Sequence, residues 1–134
     1  MSKLRTITLT GRPPVRIDEE DWPVLASATD STHDGQVECE ANVRTSWGIR
    51  VRQHEDGRHL VYAAYSFSTQ YQHGRDYEAR RGVLLPCNST VDDVCRAIEE
   101  VCQDIAEAEC SEGDETRWPT LAAECIADMP PEEL

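Results

Sequence analysis

Apolar and polar residues alternate along the middle of the chain in a pattern that predicts antiparallel β-strands. Every second position is apolar over residues 37–43 and again over residues 47–51, with mostly polar or charged residues between them. This alternation is typical of strands that bury one face and expose the other. Residues 60–67 are apolar on both faces, as expected of a central strand, and the Asp56-Gly57 pair before them favours a tight hairpin turn. We therefore predict a three-stranded meander over residues 37–67.

The residues before this meander predict one further strand and a helix. Residues 4–10 alternate and predict a strand in the same sheet, which residues 11–14 interrupt. Asp18 belongs to the residue types that cap helices, so residues 19–28 predict a helix or a short helical turn. The polar residues 30–35 predict a loop.

Apolar residues at steps of three and four predict a long amphipathic helix in the C-terminal third of the chain. They are Val91, Val94, Cys95, Ile98, Val101, Cys102 and Ile105. A second helix is expected to begin near Pro119, because proline suits a first helical turn, and to end before Pro130. The fold class is therefore predicted as α+β: one domain over residues 1–134, with an antiparallel sheet of about four strands and the two C-terminal helices packed on one face.

Length and charge narrow the class of protein. A chain of 134 residues fits one modest domain. No apolar run approaches the roughly 20 residues that a membrane-spanning helix needs, and the first residues do not resemble a secretion signal, so we expect a cytoplasmic protein that does not enter a membrane. The 26 acidic and 13 basic side chains give a net charge of -13, which opposes direct binding to the phosphates of nucleic acid.

The negative charge is concentrated near the C-terminus. Residues 87–134 carry fourteen acidic side chains and two basic ones. If Ile98 faces the core, four carboxylates project from the other side of the long helix, over about 21 Å of its axis. They are Asp93, Glu100, Asp104 and Glu107. Phosphates along one DNA strand are about 6–7 Å apart, so carboxylates on this scale favour competition for a surface that binds nucleic acid. The alternative is a solvated acidic face that keeps the protein soluble.

A second candidate surface combines arginines with a long irregular segment. Residues 70–82 are predicted as a loop that contains Tyr77 and Arg80, and tyrosine and arginine are typical anchors of protein interfaces. The outer face of the predicted meander adds four arginines, which are Arg44, Arg50, Arg52 and Arg58. These residues predict a surface for binding another protein.

The residues that carry catalysis or bind metal do not form a familiar pattern in this sequence. The six cysteines contain no C-x-x-C pair, so they are predicted to be reduced thiols that pack as small apolar groups. Zinc held by Cys39 with His54 or His59 is the alternative, but structural zinc sites usually show closely spaced ligand pairs. No nucleophile elbow or phosphate-binding glycine loop is present. We therefore expect no enzyme activity, no cofactor and no metal.

Four segments of the chain resemble a group of small, uncharacterised proteins encoded on bacterial plasmids and integrated elements. They are residues 7–17 (ITLTGRPPVRI), 22–28 (WPVLASA), 49–58 (IRVRQHEDGR) and 124–128 (ECIAD). Genes of that neighbourhood include anti-CRISPR proteins, which are often small, acidic and catalytically inert. The resemblance implies this class of function and carries over no functional residue.

Two functions follow as expectations. The first is a stoichiometric inhibitor of a nucleic-acid-directed bacterial defence complex, of the anti-CRISPR type, whose acidic surface competes for a nucleic-acid-binding site. The second is a non-enzymatic accessory or regulatory protein of a mobile genetic element, acting through the arginine-rich face and the 70–82 loop. In both cases the partner is a protein or protein complex, in the first case one with a basic nucleic-acid-binding surface, and the chain itself is a monomer or a homodimer.

Overall fold

The structure, a computed structural model, describes residues 4–34, 43–69, 77–109 and 117–131. These residues form six strands and two helices in one α+β arrangement. The elements are β1 (Leu4–Leu9), β2 (Arg12–Asp18), β3 (Val24–Asp34), β4 (Val43–Gln53), β5 (His59–Thr69), β6 (Tyr77–Leu85), α1 (Val91–Glu109) and α2 (Arg117–Ala127).

All six strands belong to one sheet, in the order β2-β1-β6-β5-β4-β3. The α+β class and the packing of both helices on one face are confirmed, since α1 contacts β4, β5 and β6 while α2 contacts β3 and β4. The prediction of an antiparallel sheet of about four strands matches in part, since four of the five strand pairings are antiparallel. The sheet has six strands, and β1 and β6 pair in parallel. A pairing between strands this far apart in the chain leaves no local pattern in the sequence.

The predicted helix over residues 19–28 is absent, and a turn followed by β3 stands in its place. The amide of Asp21 donates to the Asp18 carbonyl and that of Trp22 to the Glu19 carbonyl, which makes one tight turn. From Val24 onward the chain pairs with β4, and β3 runs on through residues 30–34, where a loop is predicted. Small residues cause the error, because the alternation of buried alanines with a half-buried serine and an exposed threonine gives only a weak strand signal.

The predicted three-stranded meander is confirmed only in its last hairpin, because the described residues of this segment form two strands, β4 and β5. Residues 37–42 lie outside the described residues, and β4 is one continuous strand from Val43, not two. The hairpin between β4 and β5 forms as predicted, with Gly57 at a φ of 96° and the His54 amide donating to the Arg58 carbonyl over 2.9 Å. Residues 77–82 of the predicted loop belong to β6, which continues to Leu85.

Alternate residues of β5 pack into two separate cores. Val61 and Ala63 face the helices, whereas Leu60 and Tyr62 face the other side of the sheet. On that other side they meet Ile7, Leu9, Ile17 and Trp22, which come from the β1–β2 hairpin and the turn after it. One half of the helix-free face is therefore covered by the hairpin.

Gly82 permits the strands to come close at this junction. It pairs with Leu9 of β1 and with Tyr62 of β5. A Cβ atom at position 82 would lie 2.5 Å from the Val61 carbonyl oxygen and 2.6 Å from Cβ of Tyr62. Only glycine fits this position without a shift of the neighbouring backbone.

Candidate functional site

The outward side of α1 carries four exposed carboxylates, which we call the acidic helix face. They are Asp92, Glu99, Glu100 and Glu107. At 1.5 Å per residue they span about 22 Å of the helix axis. None of the four forms an ion pair with another described residue. Arg96 lies among them as the one basic residue of α1.

Of the four acidic residues predicted from the sequence, Asp93 acts as a helix cap. Its carboxylate accepts a hydrogen bond from the Thr90 amide over 2.9 Å, and its own amide donates to the Thr90 hydroxyl over 3.1 Å. This reciprocal arrangement stabilises the start of α1. The bonds from Thr90 hold the pKa of Asp93 below its usual value. The structure thus gives Asp93 a local role in the helix.

Asp104 is engaged by the sheet. Its carboxylate accepts a hydrogen bond from Arg81 Nε of β6 over 3.0 Å and one from the Thr10 hydroxyl over 3.3 Å. The pair is about one-third exposed, so the charge of Asp104 is offset where it meets solvent. Glu100 and Glu107, the other two predicted residues, are exposed on the acidic helix face.

The buried side of α1 is rotated from the prediction. Val91 was expected in the core but is 37 % exposed, whereas Ala97 is 3 % exposed and packs there. This rotation turns Asp104 towards the sheet and turns Asp92 and Glu99 outward. Sequence reasoning missed these last two, although including Ala97 in the apolar face of the helix would have placed them.

The uncovered half of the helix-free sheet face forms an open basin of about 510 Å³, which we call the sheet-face basin. Cross-strand neighbours with small or hydroxyl side chains form its floor, and arginines stand over it. Its main residues are Thr29, Ser46, Gly48, Arg50, Ser66 and Arg80. Arg80, a predicted site residue, pairs with Glu78, while Arg50 forms no ion pair with a described residue.

The structure assigns the remaining predicted surface residues to different places. Tyr77 begins β6 opposite Phe67, and its side chain lies outside the described part of the chain, as does that of Arg44. Arg58 packs over the Trp22 ring at 5.1 Å and pairs with Asp56 in the hairpin turn. The predicted cluster of arginines is therefore divided between the basin, the turn and the second core.

Arg52 belongs to that second core, and its predicted exposure is wrong. It is 7 % exposed. Its Nε donates to the Tyr62 hydroxyl over 2.8 Å and its Nη1 to the Trp22 carbonyl over 2.9 Å. The strand alternation put Arg52 on the helix-free face correctly, but Trp22 and the β1–β2 hairpin cover that half of the face.

A further cavity of about 480 Å³ opens between α1 and α2, and we call it the helix groove. Seven of its nine lining residues are apolar. Among them are Cys102, Ala106, Trp118, Pro119, Ala123 and Ile126. The other two, Glu99 and Gln103, lie on the side of α1, so the groove adjoins the acidic helix face.

Titratable side chains of the described residues also meet away from these surfaces, at Glu19 and at Asp56. No group of three His, Cys, Asp or Glu side chains among them is placed to hold a metal ion. Burial raises the pKa of Cys102 and of Cys125 to about 12, and both are free thiols. Burial lowers the pKa of His59, whose Nδ1 has no hydrogen-bond partner among the described residues.

Comparison with protein-family models, curated proteins and solved structures finds no match. Neither helix in the described part of the chain is long and apolar enough to cross a membrane.

Proposed function

We propose that this protein is a stoichiometric inhibitor of a nucleic-acid-directed bacterial defence complex, of the anti-CRISPR type. The acidic helix face docks on a basic surface of that complex and competes there with guide or target nucleic acid. The protein acts in the cytoplasm as a monomer or a homodimer, without enzyme activity and without binding nucleic acid itself.

The observation that carries this proposal is the presentation of Asp92, Glu99, Glu100 and Glu107. Their carboxylates are exposed, form no ion pair with a described residue, and project from one helix whose other side is locked in the core. A rigid array of this kind does not have to be ordered on binding, which lowers the entropic cost of docking. Asp93 and Asp104, engaged at Thr90 and Arg81, hold the array in place and are not part of the contact.

The test mixes the protein with purified CRISPR effector complexes of several types and follows the binding of labelled target DNA by fluorescence anisotropy. For at least one type we expect DNA binding to be lost at one equivalent of protein. The variant Asp92→Asn, Glu100→Gln, Glu107→Gln should inhibit at least tenfold more weakly, and its inhibition should depend less on salt.

A matched control removes three exposed charges elsewhere. Glu20→Gln, Asp21→Asn and Glu55→Gln change the net charge by the same amount, far from α1 in the sequence and on the turns beside Trp22 and Gly57. This variant should inhibit like the wild type. Equal weakening of both variants would show that net charge alone is responsible and would reject the acidic helix face. Retained DNA binding with every effector type would reject the function.

The sheet-face basin favours a second function, that of a non-enzymatic accessory or regulatory protein of a mobile genetic element. Arg50 offers a guanidinium that forms no ion pair with a described residue, in a basin whose floor approaches the backbone at Gly48. On this alternative, Arg50→Ala with Arg80→Ala abolishes partner capture, and the three changes on α1 have no effect. The triple variant on α1 and the double variant at Arg50 and Arg80 therefore discriminate between the two functions.

A further inference from the structure

The helix groove is an apolar opening in the surface of an otherwise acidic helical layer. Trp118 and Cys102 are buried beneath it, while Ala123 and Pro119 on α2 are exposed. Three of the residues that line the opening are alanines, which are Ala106, Ala122 and Ala123. Side chains this small leave a volume of about 480 Å³ that larger residues would fill.

The charges around the groove determine what can occupy it. Glu99 is the one charged residue among those that line it, and the exposed carboxylates beside it on α1 outnumber the one arginine of that helix. Glu99 belongs both to the rim of the groove and to the acidic helix face, so the apolar and the negative surfaces are continuous. An occupant must therefore present apolar side chains to the groove and positive charges to α1.

We infer that the helix groove binds a basic amphipathic segment of the partner protein, with one or two of its large apolar side chains inserted between α1 and α2. Apolar anchors that enter a groove between helices are a recurring mode of peptide recognition, and the neighbouring charges set the orientation and the rate of association. This inference rests on the proposed function. It adds that the defence complex is recognised by an apolar anchor as well as by its charge, which distinguishes it from other basic surfaces.

The test uses fluorescein-labelled synthetic peptides of 16 residues and anisotropy at two salt concentrations. The first peptide is an amphipathic helix of lysine and leucine, the second replaces every leucine by serine, and the third replaces every lysine by glutamate. We expect binding of the first peptide at least tenfold tighter than that of the other two. In nuclear magnetic resonance spectra of the complex, the amide signals of Ala106 and Ala123 should move most.

Two exposed alanines provide a matched pair of variants. Ala123→Phe fills the groove from α2, and Ala108→Phe adds the same side chain on α1 outside the groove. Ala123→Phe should weaken binding of the lysine–leucine peptide at least tenfold, and Ala108→Phe by less than twofold. Glu99→Gln should weaken it two- to threefold and reduce its salt dependence.

Several results would overturn the inference. The lysine–leucine peptide does not bind, the lysine–serine peptide binds as tightly, or the Ala123→Phe variant binds the lysine–leucine peptide as tightly as the wild type does. Dimerisation of the wild type that Ala123→Phe abolishes would show that a second copy of the chain fills the groove. If Ala123→Phe still inhibits an effector complex fully, the proposed function stands without the groove. If the peptide binds in the groove but no effector is inhibited, the groove stands and the proposed function fails.

Discussion

Replacing Arg52 by methionine should destabilise the fold far more than the same change at Arg50. The two arginines lie two residues apart on β4 and on the same face of the sheet. Arg52 is buried, and its guanidinium donates to the Tyr62 hydroxyl and to the Trp22 carbonyl. Arg50 instead lines the open sheet-face basin. The two variants thus compare the loss of a buried, hydrogen-bonded arginine with the loss of an arginine in an open basin.

The expected magnitude follows from the two hydrogen bonds. Methionine keeps much of the apolar stem of Arg52 but leaves two buried acceptors without their donor. Each buried acceptor left without a partner costs about 1–3 kcal/mol, so Arg52→Met should lower the free energy of unfolding by about 3 kcal/mol. In a domain of this size that corresponds to a fall in Tm of about 10 °C. Arg50→Met should change the free energy of unfolding by less than about 0.5 kcal/mol.

Urea titration followed by tryptophan fluorescence, together with thermal melts, measures both variants. Arg52→Lys is expected to recover part of the loss, because a lysine ammonium reaches one acceptor but lacks the planar fork that serves two. If the Arg52→Met and Arg50→Met variants were equally stable, the two hydrogen bonds of Arg52 would not stabilise the fold, and Arg52 would be exposed as the sequence predicts.

Three further outcomes follow from burial. Cys87, which is exposed, should react with maleimide at pH 7.5 in the native protein. Cys102 should react only on unfolding, because burial raises the pKa of its thiol to about 12. Equal reaction rates of the two thiols in the native protein would contradict this prediction. Burial lowers the pKa of His59, so the unfolded state takes up its proton first and the urea midpoint should fall as the pH drops below about 6.5; His59→Leu should flatten that fall, and an unchanged slope would refute the assignment. Gly82→Ala should lower the free energy of unfolding by about 1–3 kcal/mol through overpacking against β5. Gly48→Ala should be nearly neutral, because a Cβ atom there would lie 3.4 Å from Cγ2 of Thr29, and similar costs for the two variants would refute the close approach at Gly82.

The elements that the sequence predicted well are those whose signal is local. The spacing of apolar residues in α1 and the Asp56-Gly57 turn each specify a conformation through neighbours only a few residues apart, and both are confirmed. β3 was missed because alanine, serine and threonine alternate weakly and Asp18 looks like a helix cap. The parallel contact of β1 with β6 is set by packing across the whole chain, which no short window contains.

The candidate site was predicted in part, and the reasons are physical. Glu100 and Glu107 are on the exposed side of α1, as expected. Asp93 also projects to this face on a helical wheel, which does not show that its carboxylate turns back to cap the helix. Asp104 was included because Ala97, a small residue with a weak apolar signal, was left out of the buried side.

The most direct test of the central claim is whether the protein and target DNA can occupy an inhibited effector complex together. Sedimentation velocity on a mixture of the protein, the effector complex and DNA, with the protein and the DNA carrying different fluorophores, measures this in one experiment. With the protein in excess over the complex, we predict that the DNA fluorophore no longer sediments with the complex. A species in which protein and DNA sediment together on one complex would show that the acidic helix face does not compete for a nucleic-acid-binding site.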